Sequence, residues 1–157
     1  MLRLLYRWLW RIALPFALLR LWWRGRKEPG YRQHVGERLG FYPPRPNPDR
    51  PLLWVHAVSV GETRAAQPLI DALLARFPHH AVLLTHMTPT GRRTGAEFAV
   101  QRSGRVIQAY LPYDLPSAVD RFLRHFQPRL GLLMETEIWP VLIERAYSAG
   151  VPMVLVN

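Results

Sequence analysis

A few residues in this chain have the types and spacing to do chemistry. The run Leu52-Leu53-Trp54-Val55-His56-Ala57-Val58-Ser59-Val60-Gly61-Glu62 ends an apolar stretch in a small-residue turn and hands one carboxylate, Glu62, to an amphipathic stretch. Glu135-Thr136-Glu137 follows a second apolar run in the same way, and Thr88-Pro89-Thr90-Gly91 places two hydroxyls beside a glycine. A carboxylate that removes a proton from an alcohol needs a partly desolvated place beside that hydroxyl. The spacing Ser59-x-x-Glu62 also fits a capping box, with Ser59 as N-cap and Glu62 reaching back to the Ser59 amide, and local pattern alone favours this reading. Glu135 and Glu137 equally fit acids in the first turn of a helix. The Thr88–Gly91 stretch fits either a plain turn or a backbone-amide nest for an anion or sugar. His56, inside an apolar run, is expected to be a satisfied core histidine. His79 and His80 lack metal-ligand spacing, and no metal site is expected.

The elements that must position these groups read as alternating strands and helices. Apolar runs predict strands at 52–58, 81–86, 106–111, 130–134 and 153–156, and helical periodicity predicts helices at 63–77, 92–100, 115–127 and 138–149. Such alternation with short loops implies a Rossmann-like α/β fold with a parallel sheet. The strand ends then gather Glu62, Thr88, Asp114 and Glu135 on one rim, where open α/β sheets bind ligands. Neither a dinucleotide fingerprint nor a Walker A sequence is present.

Composition narrows the classes. Seven of the formal net +10 charges fall in residues 1–27, as Arg3, Arg7, Arg11, Arg20, Arg24, Arg26 and Lys27. The remainder is only mildly basic, which argues against a nucleic-acid partner. With no cysteine, disulfides and thiolate chemistry are excluded. Residues 1–24 are rich in Leu and Trp, with Arg3, Arg7 and Arg11 on one helical face and Leu2, Leu5, Leu9 and Ile12 largely away from it. This pattern predicts an anchor that spans or lies on an anionic membrane, bent or interrupted at Pro15. A helix that packs on the core and points its arginines to water is the alternative. Residues 25–51 form a basic connector ending in a Pro-rich linker (42–51), where Glu37 and Arg38 read as an ordinary solvated pair on a short helix. Residues 52–157 form the main domain.

Taken together, His56-Ala-Val-Ser-Val-Gly-Glu62, Thr88-Pro-Thr-Gly91, Leu111-Pro-Tyr-Asp-Leu-Pro116 and Met134-Glu-Thr-Glu-Ile-Trp-Pro140 resemble the N-terminal half of 3-deoxy-D-manno-octulosonic acid (Kdo) transferase, the lipopolysaccharide-assembly glycosyltransferase. Arg24-Gly-Arg-Lys27 and Gly36-Glu-Arg-Leu-Gly40 fit the same resemblance. It implies the acceptor domain of a GT-B enzyme and an inverting, metal-independent transfer of Kdo from CMP-Kdo to a lipid A precursor, with no cofactor. By position it assigns Glu62 as general base and Glu135 as support for the transition state. Ser59, Gly61, Thr88, Thr90, Gly91, Glu37 and Arg38 are expected on the acceptor side, with Arg24 and Arg26 meeting acceptor phosphates. The implied location is the cytoplasmic face of the inner membrane of a Gram-negative cell. The implied nucleotide-binding half lies beyond Asn157, so this chain alone is expected to bind acceptor and membrane without transferring Kdo. A non-catalytic membrane-associated α/β module, or a truncated remnant, is the competing reading.

Overall fold

A computed structural model describes residues 2–134 and 139–156, apart from the side chains of residues 2–5, 7, 8 and 11. Five strands, β1 (Leu52–His56), β2 (Ala81–His86), β3 (Val106–Tyr110), β4 (Leu130–Met134) and β5 (Met153–Val156), form one sheet in the order β3-β2-β1-β4-β5. Every pairing is parallel. Strands buried on both faces need unbroken apolar runs rather than alternation; β1 and β2 are buried along their whole length. The order reverses between β1 and β4. In doubly wound sheets this switch point opens the ligand crevice, outside the strands' carboxyl ends.

Helices α2 (Val60–Arg76) and α3 (Pro89–Val100) cover one face of the sheet. There Ala66, Ile70, Leu74 and Phe98 pack on Leu53, Val55, Val82 and Leu84. Helices α4 (Pro116–Phe126) and α5 (Pro140–Ser148) cover the other, where Val119, Phe122, Leu142 and Ala146 pack on Leu52, Trp54 and Leu83. Both α2 and α3 begin earlier than periodicity predicts, because Ser59 and Thr88 cap them and Pro89 sits at a first-turn position whose amide needs no partner.

The first helix, α1 (Leu2–Arg24), passes through Pro15 without interruption, so of the expected bend or break the break does not occur. Packing on both sides of the proline accounts for this. Trp10 and Leu14 before it, and Ala17, Leu18 and Leu21 after it, share one cluster with Tyr31, Leu39, Met87, Tyr113 and Leu115. The 42–51 stretch has no regular element, yet it is pinned to the body. The Tyr42 hydroxyl donates to the Tyr110 carbonyl at 3.1 Å, and the Arg45 guanidinium donates to the carbonyls of Phe126 and Arg50 at 3.2 and 2.6 Å.

Gly40 closes the 3-10 turn Glu37–Leu39 in the left-handed region at φ +84°, with the backbone of Ala118 in α4 against it. A Cβ there would lie 2.5 Å from the Ala118 carbonyl oxygen and 3.0 Å from its Cα. Gly40→Ala is therefore expected to destabilise the chain by at least about 2 kcal/mol, combining left-handed strain with displacement of α4. Urea unfolding measures this, and a smaller loss would mean that the turn and α4 part freely.

Candidate functional site

Glu62 stands in the first turn of α2, just past the carboxyl end of β1. Its carboxylate accepts from the Val58 amide through Oε2 and from the Ser59 hydroxyl through Oε1, each at 2.8 Å. Ser59 Oγ in turn accepts from the Glu62 amide at 3.3 Å. The capping box differs from expectation in one partner: Glu62 reaches the amide of Val58, one residue before the cap. The Ser59 hydroxyl can both accept and donate, so it serves the helix end and the carboxylate together.

The Val58 peptide joins this turn to the next. Its carbonyl accepts from Thr88 Oγ1 at 3.0 Å, while its amide holds Glu62. Thr88 Oγ1 also accepts from the Gly91 amide at 3.1 Å and from Thr90 Oγ1 at 3.4 Å. Thr88 is thus the N-cap of α3 rather than part of a free turn. Gly91 permits the close approach, since a Cβ on it would lie 3.2 Å from the Val58 carbonyl oxygen. The amino ends of α2 and α3 therefore lie side by side on the rim, a placement that favours negative charge on a ligand. Among the described residues, a Cβ on Gly61 would meet only Ser59 Oγ, at 3.8 Å.

Glu37 and Arg38 are not a solvated pair. Both are buried, because partners from distant parts of the chain surround them. Glu37 forms a two-point ion pair with Arg92, accepts from the Tyr110 amide at 2.7 Å and faces His34 Nδ1 at 3.2 Å. The Arg38 guanidinium lies over the Tyr110 ring with its carbon 3.9 Å from the ring centre, and donates to the Met87 carbonyl at 3.0 Å. The pair thereby braces the loop that leads into Thr88.

Arg24 and Arg26 sit at the end of α1 and are exposed. Their guanidiniums stack on Tyr31 at 4.3 Å and on Trp22 at 4.6 Å from the ring centres. They do not join the Glu62 cluster. The following turn, Pro29–Arg32, nevertheless backs onto Pro89, where a Cβ on Gly30 would come within 2.7 Å of Pro89 Cβ. Glu135, together with Thr136 and Glu137, lies outside the described residues. Among the described residues no cluster of His, Cys, Asp or Glu is arranged to hold a metal.

Asp114 belongs to the rim but was not singled out as a site residue. Its carboxylate is buried and accepts from the amides of Val141 and Leu142 at 3.0 and 2.8 Å and from the Tyr6 hydroxyl at 2.8 Å. Burial pushes its pKa up, opposed by these hydrogen bonds. Its place in the Leu111-Pro-Tyr-Asp-Leu-Pro116 stretch is the signal that the sequence offers for it. Arg92 carried none.

The buried histidines flank the rim from below. Trp54 Nε1 donates to Thr85 Oγ1, and Thr85 Oγ1 lies 2.8 Å from His56 Nδ1. Indole can only donate, and the threonine hydroxyl has a second lone pair and one proton with which to meet His56 Nδ1. His86 Nδ1 faces the Ala57 carbonyl at 3.2 Å.

The sequence profile of the 3-deoxy-D-manno-octulosonic-acid transferase (Kdotransferase) family matches residues 33–157. The chain belongs to this family. It is 49% identical to a 3-deoxy-D-manno-octulosonic acid transferase of Bordetella pertussis across 91% of its own length and 34% of that protein. It is 39% identical to the Haemophilus influenzae protein of the same name, across 99% of this chain and 36% of the relative. A probable mitochondrial 3-deoxy-D-manno-octulosonic acid transferase of Arabidopsis thaliana is 33% identical over 98% of the chain and 33% of its own length. The chain thus spans about a third of the length of these relatives. The parallel α/β sheet fits the Rossmann-like N-terminal domain that this Kdo transferase membership implies.

Burial depresses the pKa of His56 to about 4 and that of His86 to about 3, aided for His86 by His56 and opposed by hydrogen bonds to the backbone. Below about pH 6.5 the unfolded chain takes up protons that the folded chain refuses, so stability is full above that pH and falls as the pH drops toward 4. Each histidine is expected to contribute up to about 1.4 kcal/mol per pH unit near pH 5. Urea unfolding from pH 7.5 to 4.5 should show this slope, and His86→Asn should lower it. A flat profile would mean that the histidines are open to protons.

Proposed function

We propose that this chain supplies the acceptor-binding part of a transferase that moves Kdo from CMP-Kdo to a lipid A precursor, with Glu62 as general base. The observation that carries this reading is the Glu62 carboxylate, held by Val58 and Ser59 at the carboxyl end of β1, beside the switch point of the sheet. Two hydrogen bonds occupy one lone-pair site on each oxygen and leave others for a substrate hydroxyl. In the proposed step Glu62 takes the proton of an acceptor hydroxyl as its oxygen bonds to the anomeric carbon of Kdo with inversion. The bond from that carbon to CMP breaks, and CMP leaves with the electron pair. Paired helix amino ends on the rim and the exposed arginines Arg24 and Arg26 suit a phosphorylated acceptor.

The same reading places the chain on the cytoplasmic face of the inner membrane. One side of α1 packs on the body, while Leu9, Ile12, Phe16, Leu19 and Trp23 recur at helical spacing on the other side and are 52–68% exposed together with Trp22. Arg20, Arg24, Arg26 and Lys27 are exposed at its end. An apolar stripe beside cations suits an interfacial helix on anionic lipid. Among the described residues no helix is long and apolar enough to cross a membrane.

Two experiments test the proposal. In a chimera that continues this chain with the remainder of the Bordetella pertussis relative, Glu62→Gln should lower Kdo transfer by about 10²-fold or more while the melting temperature stays within a few degrees. Retained transfer would remove Glu62 as base, and loss of folding alone would leave it a helix cap. Separately, the chain should sediment with vesicles containing phosphatidylglycerol, and replacing Phe16, Leu19 and Trp23 by Ser should weaken binding by about 10-fold or more. Unchanged binding would exclude the stripe as the membrane face.

A further inference from the structure

Helix α5 has no capping side chain of its own: its N-cap is Trp139. Its first amides are instead satisfied from elsewhere. Asp114, in the loop after β3 and 1% exposed, accepts from Leu142 through Oδ1 and from Val141 through Oδ2. Among the described residues the third donor to this carboxylate is the Tyr6 hydroxyl, 108 residues away on α1. Beside it Trp10 packs on Tyr113 and Trp139, with ring centres 5.7 and 6.3 Å apart. The inner face of α1 thus grips three rim segments at once: Met87 before α3, Tyr113 to Leu115 before α4, and Trp139 before α5. Tyr113 in turn donates its amide to the Arg38 carbonyl at 2.8 Å, and Arg38 holds Met87.

A tyrosine hydroxyl and two helix amides sharing one buried carboxylate form a unit whose parts cannot shift independently without leaving an acceptor or donor unmet. The outer face of the same helix is the apolar stripe. We propose that Asp114 is a positioning residue that locks α1 to the first turn of α5, so that seating α1 on an anionic membrane surface is transmitted to the rim of the sheet. The membrane half of this inference rests on the interfacial reading of α1; the lock itself does not.

Hydrogen exchange on the whole 157-residue chain tests both halves. Tyr6→Phe removes only the hydroxyl. It is expected to speed exchange of the Val141 and Leu142 amides about five- to tenfold, the effect of losing a typical cap, while the Leu53 and Val55 amides of β1 stay as in wild type. Asp114→Asn should show the same pattern more strongly, and the double variant should be no worse than Asp114→Asn alone. Phosphatidylglycerol vesicles should slow Val141 and Leu142 exchange in wild type but not in Tyr6→Phe, although both still sediment with the vesicles. Unchanged Val141 and Leu142 exchange in Tyr6→Phe without vesicles would overturn the lock, as would a rise matched in β1. Equal vesicle protection in both proteins, or a wild-type chain that does not sediment, would overturn the transmission while the vesicle-free comparison still judges the lock.

Discussion

The buried carboxylate of Glu37 is the joint on which the rim is hung. It binds the guanidinium of Arg92 from α3, the amide of Tyr110 at the end of β3 and, at 3.2 Å, the imidazole of His34. Among the described residues no sheet ladder or helix joins these three pieces of chain to one another. A buried acid stripped of such partners typically costs 3–5 kcal/mol, so their registry is strongly enforced. Arg38 follows in the same turn and carries the effect further, to Met87 through its side chain and to Tyr113 through its carbonyl. The connector between α1 and β1 thereby sets the position of two loops that belong to the sheet.

Within that frame, the candidate base is held by very local means. A single peptide, Val58, offers its amide to Glu62 and its carbonyl to Thr88. Two helix starts and one carboxylate are aligned by six residues of chain, with hydroxyls acting as donor and acceptor together. Capping and catalysis are compatible here, since the bonds that satisfy the helix end also remove rotamer freedom from the carboxylate. A group that acts on a proton benefits from such pre-organisation.

The strands were the most legible part of the sequence. Buried strands demand continuous apolar runs, as in β2 and β4, and the limits expected for these two and for the more exposed β5 coincide with those observed. Helix starts were less legible where proline intervened. Thr88-Pro-Thr-Gly has turn chemistry, and it is the Gly91 amide donating to Thr88 Oγ1 that shows Thr88 opening a helix. Ser59 and Glu62 were legible because a capping box is local, though which amide Glu62 takes was not. Glu37 and Arg38 were misread because the burial of a charged pair depends on partners 49 to 73 residues away. Asp114 lies in the Leu111–Pro116 stretch, but nothing local says that its carboxylate caps another helix.

The two sides of the sheet end differently. On β3, the outward amide and carbonyl of Tyr110 are taken by Glu37 and by Tyr42. On β5, Val154 and Leu155 are 45% and 52% exposed, and no described strand pairs beyond them. A parallel edge with apolar side chains is a template for strand addition. In this chain handled by itself, β5 offers an edge on which a further strand can add, and a charged residue in place of Val154 opposes that addition.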